Sequence, residues 1–454
     1  MKRYLFFLLL IIIYSCERNG FSEKQNEYEE VINVYFNKSA DISLAYPGNK
    51  ANYNVNLEDK LIKRIEKADS TIDLAVYEIN LPKLITKIIQ KAADGIDVRM
   101  VVDAKEYTEE GSGEVDEHDE RYNIMRLYLE KMRRGMDKIL NTDDDIYIIA
   151  DSPIFAVTDS DERIEFDLPN SPDDFPFVQV KIGNDIKEGY LVADAAKRKS
   201  AGCPDSCYYS PGDQMHNKFA VIDNEWVFTG SWNFTVTGLY GTEEDMRAGK
   251  LNGNQQHVVE IKSEDLAEIY TKEFNEMYGS RDLLPNADSS KFHKRKLDNT
   301  GHTVNVDGVR VDVYFSPSDS ALSKIINLVK TEADSSIIFT IFAFSDQKLV
   351  DEMKYKWEAS YEDSVGERTG SRESELNPNI RWKNEAPVYK DNETRKLHSK
   401  SMVIDNDIVV VGSINWSTNG DQINDENTLI IYDKNIVNQF KQEMTARYNK
   451  AKSN

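Results

Sequence analysis

Two short segments of this chain carry the residue types that chemistry at phosphorus needs. His216 and Lys218 stand two apart and are followed by Asp223, Gly230, Ser231 and Asn233. His398 and Lys400 stand two apart and are followed by Asp405, Gly412, Ser413 and Asn415. The offsets from His to Lys, Asp, Gly, Ser and Asn are the same in both. One such segment is a weak signal, since a lone histidine on a strand is more often structural; two with matched offsets are a strong one. Side chains two apart on a strand share a face, so each His and its Lys point together while Asn217 and Ser399 point away. A neutral imidazole can attack phosphorus and form a covalent phosphohistidine. A second, protonated imidazole can give its proton to the leaving alcohol and later take one from water. Histidine titrates near neutrality, so both roles are open to it. The two ammoniums and the Asn233 and Asn415 amides can hold the non-bridging oxygens as charge builds, with Ser231 and Ser413 adding hydroxyl donors. Fixed cations do this electrostatic work, so the scheme calls for no metal and no other cofactor.

The elements around these segments repeat. Strand patterns at residues 31–36 and 311–315 open the two halves. After each comes a helical spacing, Leu57, Leu61, Ile62 and Ile65 in one and Leu322, Ile325, Ile326 and Val329 in the other. Each helix leads to an apolar strand, 72–77 or 337–342, and a second helix, 84–93 or 348–357. Residues 97–102 add a strand in the first half. Each half closes on the His-x-Lys strand, a Gly-Ser turn, a last strand and a helix, 264–277 or 435–451, the former with Ser263 as its N-cap. Strands alternating with helices predict an α/β layered fold. The first half also carries an excess of about 105–209 with the acidic run 109–120, which reads as a solvated excursion or, alternatively, a lid.

The duplicated His-x-Lys-x4-Asp followed by Gly-Ser and Asn resembles the phospholipase D superfamily. The resemblance covers most of the chain after residue 30, leaving out the insertion. It implies two pseudo-symmetric α/β/α sandwich halves with mixed sheets, 31–279 and 308–454, joined by a linker at 280–307, with one active site at their interface. It implies His216 as nucleophile and His398 as acid and base. Glu426 matches the place from which family members supply an orienting carboxylate, so the second half has its His, Lys, Asn and orienting Glu. Gln256 stands at the aligned place in the first half; Glu243, Glu244 or Asp245, in a stretch of extra residues at 239–250, could replace it. Asp223 and Asp405 are carried with the catalytic set as part of the motif, although the resemblance suggests that they tie down turns. The other histidines, His118, His257, His293 and His302, read as surface or structural.

The chain has 454 residues and a formal net charge of −23, with 40% hydrophobic and 30% charged residues. That is a globular composition long enough to bury a substantial core. The negative field weighs against a general nucleic-acid binder, because phosphate neutralisation by Lys and Arg dominates such affinity. Lys2 and Arg3 precede an apolar run at 4–14, too short to span a bilayer and shaped like an export signal. Residues 13–16 resemble a bacterial lipobox, which implies a signal peptide at 1–15, a lipid anchor on Cys16, a tether at 16–30 and a place in the cell envelope. An ordinary secretory signal is the other reading. Cys203 and Cys207 read as a local disulfide or two free thiols. The expected function is phospholipase D at a membrane surface, releasing phosphatidic acid and a head-group alcohol. The alternatives are an extracellular endonuclease acting on nucleic acid, which segments 75–78 and 229–235 favour by likeness to the bacterial nuclease and cardiolipin hydrolase branch, and a catalytically silent surface-binding lipoprotein.

Overall fold

A computed structural model describes residues 30–105, 117–182, 185–200, 203–209, 212–358, 363–368, 388–391 and 393–453. Cys16, most of the acidic run and the side chains of Cys203 and Cys207 lie outside the described portion. Residues from Val31 onward form one compact unit. None of its described helices is long and apolar enough to cross a membrane.

The first half opens with β1 (Ile32–Phe36), α1 (Leu57–Glu66), β2 (Thr71–Val76), α2 (Pro82–Ala93) and β3 (Asp97–Val102). Asn56 caps α1 by accepting from the Asp59 amide, and Pro82 opens α2, where a missing N–H leaves no bond unmade. The insertion then supplies α3 (Glu117–Arg133), β4 (Tyr147–Ala150), β5 (Ile154–Phe155), β6 (Phe177–Ile182), β7 (Asp185–Ala195), β8 (Lys197–Ser200) and β9 (Cys203–Tyr208). The half closes with β10 (Lys218–Ile222), β11 (Trp226–Gly230), β12 (His257–Lys262) and α4 (Glu264–Tyr278), which Ser263 caps through the Leu266 amide. The second half runs β13 (Thr303–Val306), β14 (Val309–Ser316), α5 (Ala321–Glu332), β15 (Ser336–Ile341), α6 (Gln347–Glu358), β16 (Asp363–Arg368) and β17 (Val388–Lys390). It ends with β18 (Lys400–Ile404), β19 (Ile408–Gly412), β20 (Glu426–Tyr432) and α7 (Lys434–Lys452).

Two mixed sheets result. The first is ordered β1-β12-β11-β10-β2-β3-β4-β7-β6-β9-β8, with β5 on β7; the second is β13-β14-β20-β19-β18-β15-β16-β17. The run β1 to β3 of the first matches β14 to β16 of the second, antiparallel throughout except for the parallel pairs β2/β3 and β15/β16. Helices α1 and α2 cover one face of the first sheet, burying Leu57, Leu61, Ile85 and Ile88 against Leu74 and Met100. Helices α5 and α6 cover the corresponding face of the second, with Leu322, Ile325 and Leu349 against Phe339 and Ile341. The opposite faces share one core between the halves, in which Val34, Val259 and Phe274 meet Val313, Val411 and Phe440. Edge-on ring contacts cross it, Phe36 to Phe440 at 5.1 Å and Tyr270 to Phe315 at 5.2 Å. The fold is therefore two repeated α/β halves with mixed sheets.

Three parts of the chain take a more definite form than the sequence suggests. The insertion is no solvated excursion, because β4 pairs parallel with β3 and carries the first sheet onward into β7. It has a charged core of its own, in which Glu130 accepts from Arg134 at 2.9 Å and from Arg163 at 2.7 and 2.8 Å, all three buried. The linker is likewise built in. His293 and Lys296 are buried, with the His293 ring 3.0 Å from Asp425 and 3.5 Å from Asp151, and Lys296 paired to Glu273 and Asp425. Burial works against a charge on His293, yet the carboxylates of Asp425 and Asp151 outweigh it and push the imidazole up to about 10.

Asp223 and Asp405 are the third: they tie down turns, as the resemblance suggests, and so leave the catalytic set. Asp223 accepts from the amides of Asp69, Ser70 and Thr71, and Asp405 from those of Asp334, Ser335 and Ser336, at 2.7–3.1 Å. Each follows the far end of its His-x-Lys strand, a strand length from the lysine. They fasten the turns before β2 and β15 and take no part in a cleft. Partial burial opposes their charge, but the amides prevail and hold both below the usual carboxylate range. A depressed carboxylate stabilises the fold above its unfolded pKa and loses that contribution as pH falls through the folded value. Asp223→Ala and Asp405→Ala are each expected to cost about 1–2 kcal/mol in urea melts. Rates per folded molecule should stay at the wild-type level; a loss of turnover in fully folded variants would return these residues to the catalytic set.

Candidate active site

His216 and Lys218 lie where the chain enters β10, and His398 and Lys400 where it enters β18; all four are buried. Their approaches are held by backbone from the opposite half. Met215 bridges Asp425 and Leu397 bridges Gln255. The Asp425 amide donates to the Gln214 carbonyl at 2.9 Å, and the His398 amide to the Gln255 carbonyl at 2.8 Å. The residues before β20 thus run beside those before β10, and the residues before β12 beside those before β18. Within each half the Gly-Ser turn lets neighbouring strands close up: a Cβ on Gly230 would lie 2.3 Å from the His257 carbonyl oxygen, and one on Gly412 2.2 Å from that of Asn427.

The bridging crosses the partners of the two histidines. His216 Nδ1 is 2.7 and 2.8 Å from the two oxygens of Glu426, a residue of the other half. Ser413 Oγ donates to Glu426 at 2.7 Å, and Asn424 Nδ2 lies at 3.4 Å. His398 Nδ1 is 2.9 Å from the Ser231 carbonyl and 3.2 Å from Gln256 Oε1. A carbonyl can only accept, so His398 carries its proton on Nδ1 and keeps a lone pair on Nε2. The expectation that Glu426 serves its own half is therefore corrected: the carboxylate belongs to His216 and the amide to His398, because a half's last strand lies beside its partner's motif. Glu243 and Glu244 are exposed on a short helix with Asp245, and no hydrogen bond among the described residues links these three to either histidine. Ser413 is occupied with Glu426 and with the Asn427 amide at 3.0 Å, and Ser231 Oγ accepts from the His257 amide at 3.1 Å. Both serines thus brace the strand ends of the site. Gln256 also has structural duties, donating to the Gly238 carbonyl at 2.6 Å and accepting from the Asn233 amide at 3.2 Å.

Each lysine Nζ donates to the carbonyl of its own histidine, Lys218 at 2.7 Å and Lys400 at 2.9 Å. Tyr77 packs edge-on against His216 at 4.6 Å, and the Phe342 ring is tilted against His398 at 4.9 Å. Lys218 lies 4.9 Å from the Tyr77 centroid and Lys400 5.0 Å from that of Phe342. The Oδ1 atoms of Asn233 and Asn415, equivalent by the repeat, are buried without a hydrogen-bond partner among the described residues. Sequence reasoning passed over Lys105 and Glu78 on the His216 side. Lys105 Nζ is 2.8 Å from Glu78 Oε1 and 3.0 Å from the Tyr77 centroid, and Asn233 Nδ2 is 3.5 Å from Glu78 Oε2. Their signal was faint: Tyr77 and Glu78 follow β2, whose Val76 pairs with Lys218, but the insertion separates them from the motif in the sequence. One trio of described residues, Asp298, His302 and Asp319, brings three metal-ligand atoms together, and it shares no residue with the cleft.

The electrostatics suit an anion. Burial, then the ammoniums of Lys218 and Lys400, keeps His216 well below its ordinary value, and burial with the same lysines does so for His398. Burial brings Lys218 down to about 7 and lowers Lys400 well below its usual range. Burial also lifts Glu426 to about 8. A phosphodiester entering here would relieve the repulsion among the cations and favour their charged forms. Without it, the positive charge drains away as pH rises. Affinity for sulfate, whose charge is constant here, is expected to fall at least ~10-fold between pH 6 and 8.5 as the ammoniums deprotonate. Titration calorimetry checks this, and a flat profile would contradict it.

The family described as cardiolipin synthase, phospholipase D-like domain, matches residues 192–278 and 325–448, one stretch around each His-x-Lys segment. The fold is that of the phospholipase D superfamily. Among solved members of that fold, phosphatidylserine synthase of Haemophilus influenzae Rd KW20 aligns over 93% of this chain and 88% of its own, with a TM-score of 0.51 and 13% identity. The phospholipase D family member Nuc of Salmonella typhimurium aligns over 31% of this chain and 95% of its own at 20% identity and a TM-score of 0.29. NucT of Helicobacter pylori does so over 32% and 96% at 18% identity and a TM-score of 0.25. No curated protein matches the chain. Within the superfamily fold, both His-x-Lys segments are intact and face each other across the crossed strand ends.

Proposed function

We propose that the chain is a metal-independent phosphodiesterase working through a phosphohistidine, and specifically a phospholipase D that releases phosphatidic acid and a head-group alcohol. The observation that carries the chemistry is the unequal pairing of the histidines, His216 on the Glu426 carboxylate and His398 on a carbonyl and an amide. A carboxylate on Nδ1 orients an imidazole and stabilises the positive charge it gains on attack. His216 Nε2 therefore attacks phosphorus, and the bond to the leaving alcohol oxygen breaks. His398, protonated once the substrate anion offsets the lysines, gives that oxygen its proton from Nε2. Water then attacks phosphorus, His398 takes a proton from it, and the P–N bond breaks to restore His216. Lys218, Lys400, Asn233 and Asn415 stabilise the non-bridging oxygens in both steps.

The lipid reading is favoured by the net charge of −23, which repels polyanions, and by the N-terminal sequence. A lipid on Cys16 of an exported chain would hold the enzyme at its substrate in the cell envelope. The nuclease reading is supported by likeness of segments 75–78 and 229–235 to the nuclease branch. The deciding assay compares wild type with His216→Ala on phosphatidylcholine, cardiolipin and single-stranded DNA, each in EDTA. Head-group release that persists in EDTA and disappears in the variant is expected. Loss of activity in EDTA would sink the metal-independent scheme, and DNA cleavage alone would replace the lipase with the nuclease.

A further inference from the structure

The two approaches to the cleft are equivalent in backbone and opposite in charge. The residues three and two before each histidine are Asp213 and Gln214 in the first half, and Arg395 and Lys396 in the second. Both approaches carry the same cross-half bridge, at Met215 and at Leu397. The second is pinned by its main chain, with the Lys396 carbonyl accepting from the Gln255 amide at 2.9 Å and the Lys396 amide donating to Asn254 Oδ1 at 3.2 Å. Its side chains are exposed, and no ion pair among the described residues engages either. Lys396 Nζ lies 5.4 Å from the centroid of Phe342, the ring that packs on His398 and faces Lys400. Arg395 lies against the foot of the 239–250 stretch, its Nε 3.4 Å from where a Cβ on Gly241 would stand. Lys38 reaches the other foot, donating to the Leu251 carbonyl at 2.7 Å. The neighbouring Glu393 is taken up by Arg447 and Lys450. Asp391 accepts from the Leu397 amide and Glu443 pairs with Arg447, so Arg395 and Lys396 are the cations left exposed beside the approach on the His398 side.

That side is chemically defined. In an in-line displacement the leaving oxygen departs opposite the nucleophile. With His216 attacking, the alcohol leaves toward His398 and toward Arg395 and Lys396. We propose that Arg395 and Lys396 form a subsite for an anionic group, a phosphate or carboxylate, carried on the leaving alcohol. This rests on the reading of His216 as nucleophile. A guanidinium and an ammonium at the rim recognise such a group by charge-assisted hydrogen bonds, and Asp213 at the opposite rim repels it, so the substrate enters in one orientation.

The test uses the full chain, wild type against Arg395→Gln/Lys396→Gln, on paired substrates. Phosphatidylglycerol releases a neutral alcohol, and cardiolipin one that keeps a phosphate; both are presented in mixed micelles of matched surface charge. A dithymidine phosphate with and without a terminal phosphate forms the soluble arm. The double variant is expected to lose ~10- to 100-fold in kcat/KM on the member with the extra anion and less than ~3-fold on the neutral one. An effect in the lipid arm assigns the anion to a head group; one confined to the soluble arm assigns it to a nucleic-acid end. Equal losses within each pair, or no loss, overturn the subsite. Labelled substrate quenched under alkaline denaturing conditions separates the two claims. Label on His216 with an unmoved ratio defeats only the subsite, absence of a phosphohistidine defeats the proposed function, and label on His398 places the leaving alcohol on the other side and defeats the subsite.

Discussion

His398→Ala, given a phosphodiester with a p-nitrophenolate leaving group, is expected to release one equivalent of nitrophenolate in a burst and then stall with phosphate on His216. The physical ground is the division of work between the rings. Nitrophenolate departs without a proton, so the first step needs only the nucleophile, while the second needs a base to activate water. With an alkyl leaving group the same variant lacks the acid as well, and turnover should fall by about 10²–10⁴-fold. His216→Ala has no nucleophile, so it should show no burst with either ester and lose at least ~10⁴-fold, in the manner of other covalent catalysts stripped of their attacking group. Stopped-flow absorbance and the labelled intermediate read both outcomes. A burst in His216→Ala, with label on His398, would reverse the assignment.

Glu426→Gln is the second large effect. Its hydrogen bond to His216 Nδ1 is 2.7 Å, and it is buried beside Ser413. The amide preserves shape but removes the charge that stabilises the imidazolium, and it offers an N–H that can force the wrong tautomer. An equivalent exchange in a histidine-based triad lowers kcat by about 10⁴, and a fall of about 10³–10⁴ is expected here. The crossed pairing says where it falls: on the burst rate, which reports attack by His216. Gln256→Leu, on the His398 side, removes one neutral contact of a ring still held by the Ser231 carbonyl at 2.9 Å, and should cost ~10-fold or less. A slow burst in Gln256→Leu with a normal one in Glu426→Gln would mean that each half serves its own histidine after all.

Much of this was legible in the residues. The repeat, the paired His-x-Lys segments and the strand and helix order follow from periodicity, and β3 falls at residues 97–102 as the pattern predicts. The partner of each histidine did not follow. Glu426 sits in the second half of the sequence, and contacts between the halves, such as the bridge of Met215 to Asp425 and the bond of Asn427 to Asn217, bring it to His216. Lys105 and Glu78 were hidden for a related reason, since the insertion sets them far along the chain from the strand end they adjoin. His293 has no periodic neighbours to mark it as buried, and its place is set by carboxylates from both halves, Asp151 and Asp425. Local patterning specifies elements, whereas contacts between halves depend on how finished sheets meet.

The crossed pairing bears on descent. Two identical chains around a two-fold axis must give both histidines the same partner, because symmetry repeats every residue. A site with Glu426 on one ring and Gln256 on the other cannot be made that way. Joining both copies in one polypeptide freed each from the need to perform both tasks, so a change that would disable a symmetric pair became tolerable in one member. A carboxylate on one ring and an amide on the other is thus an arrangement closed to a symmetric pair of chains and open to two copies in one polypeptide.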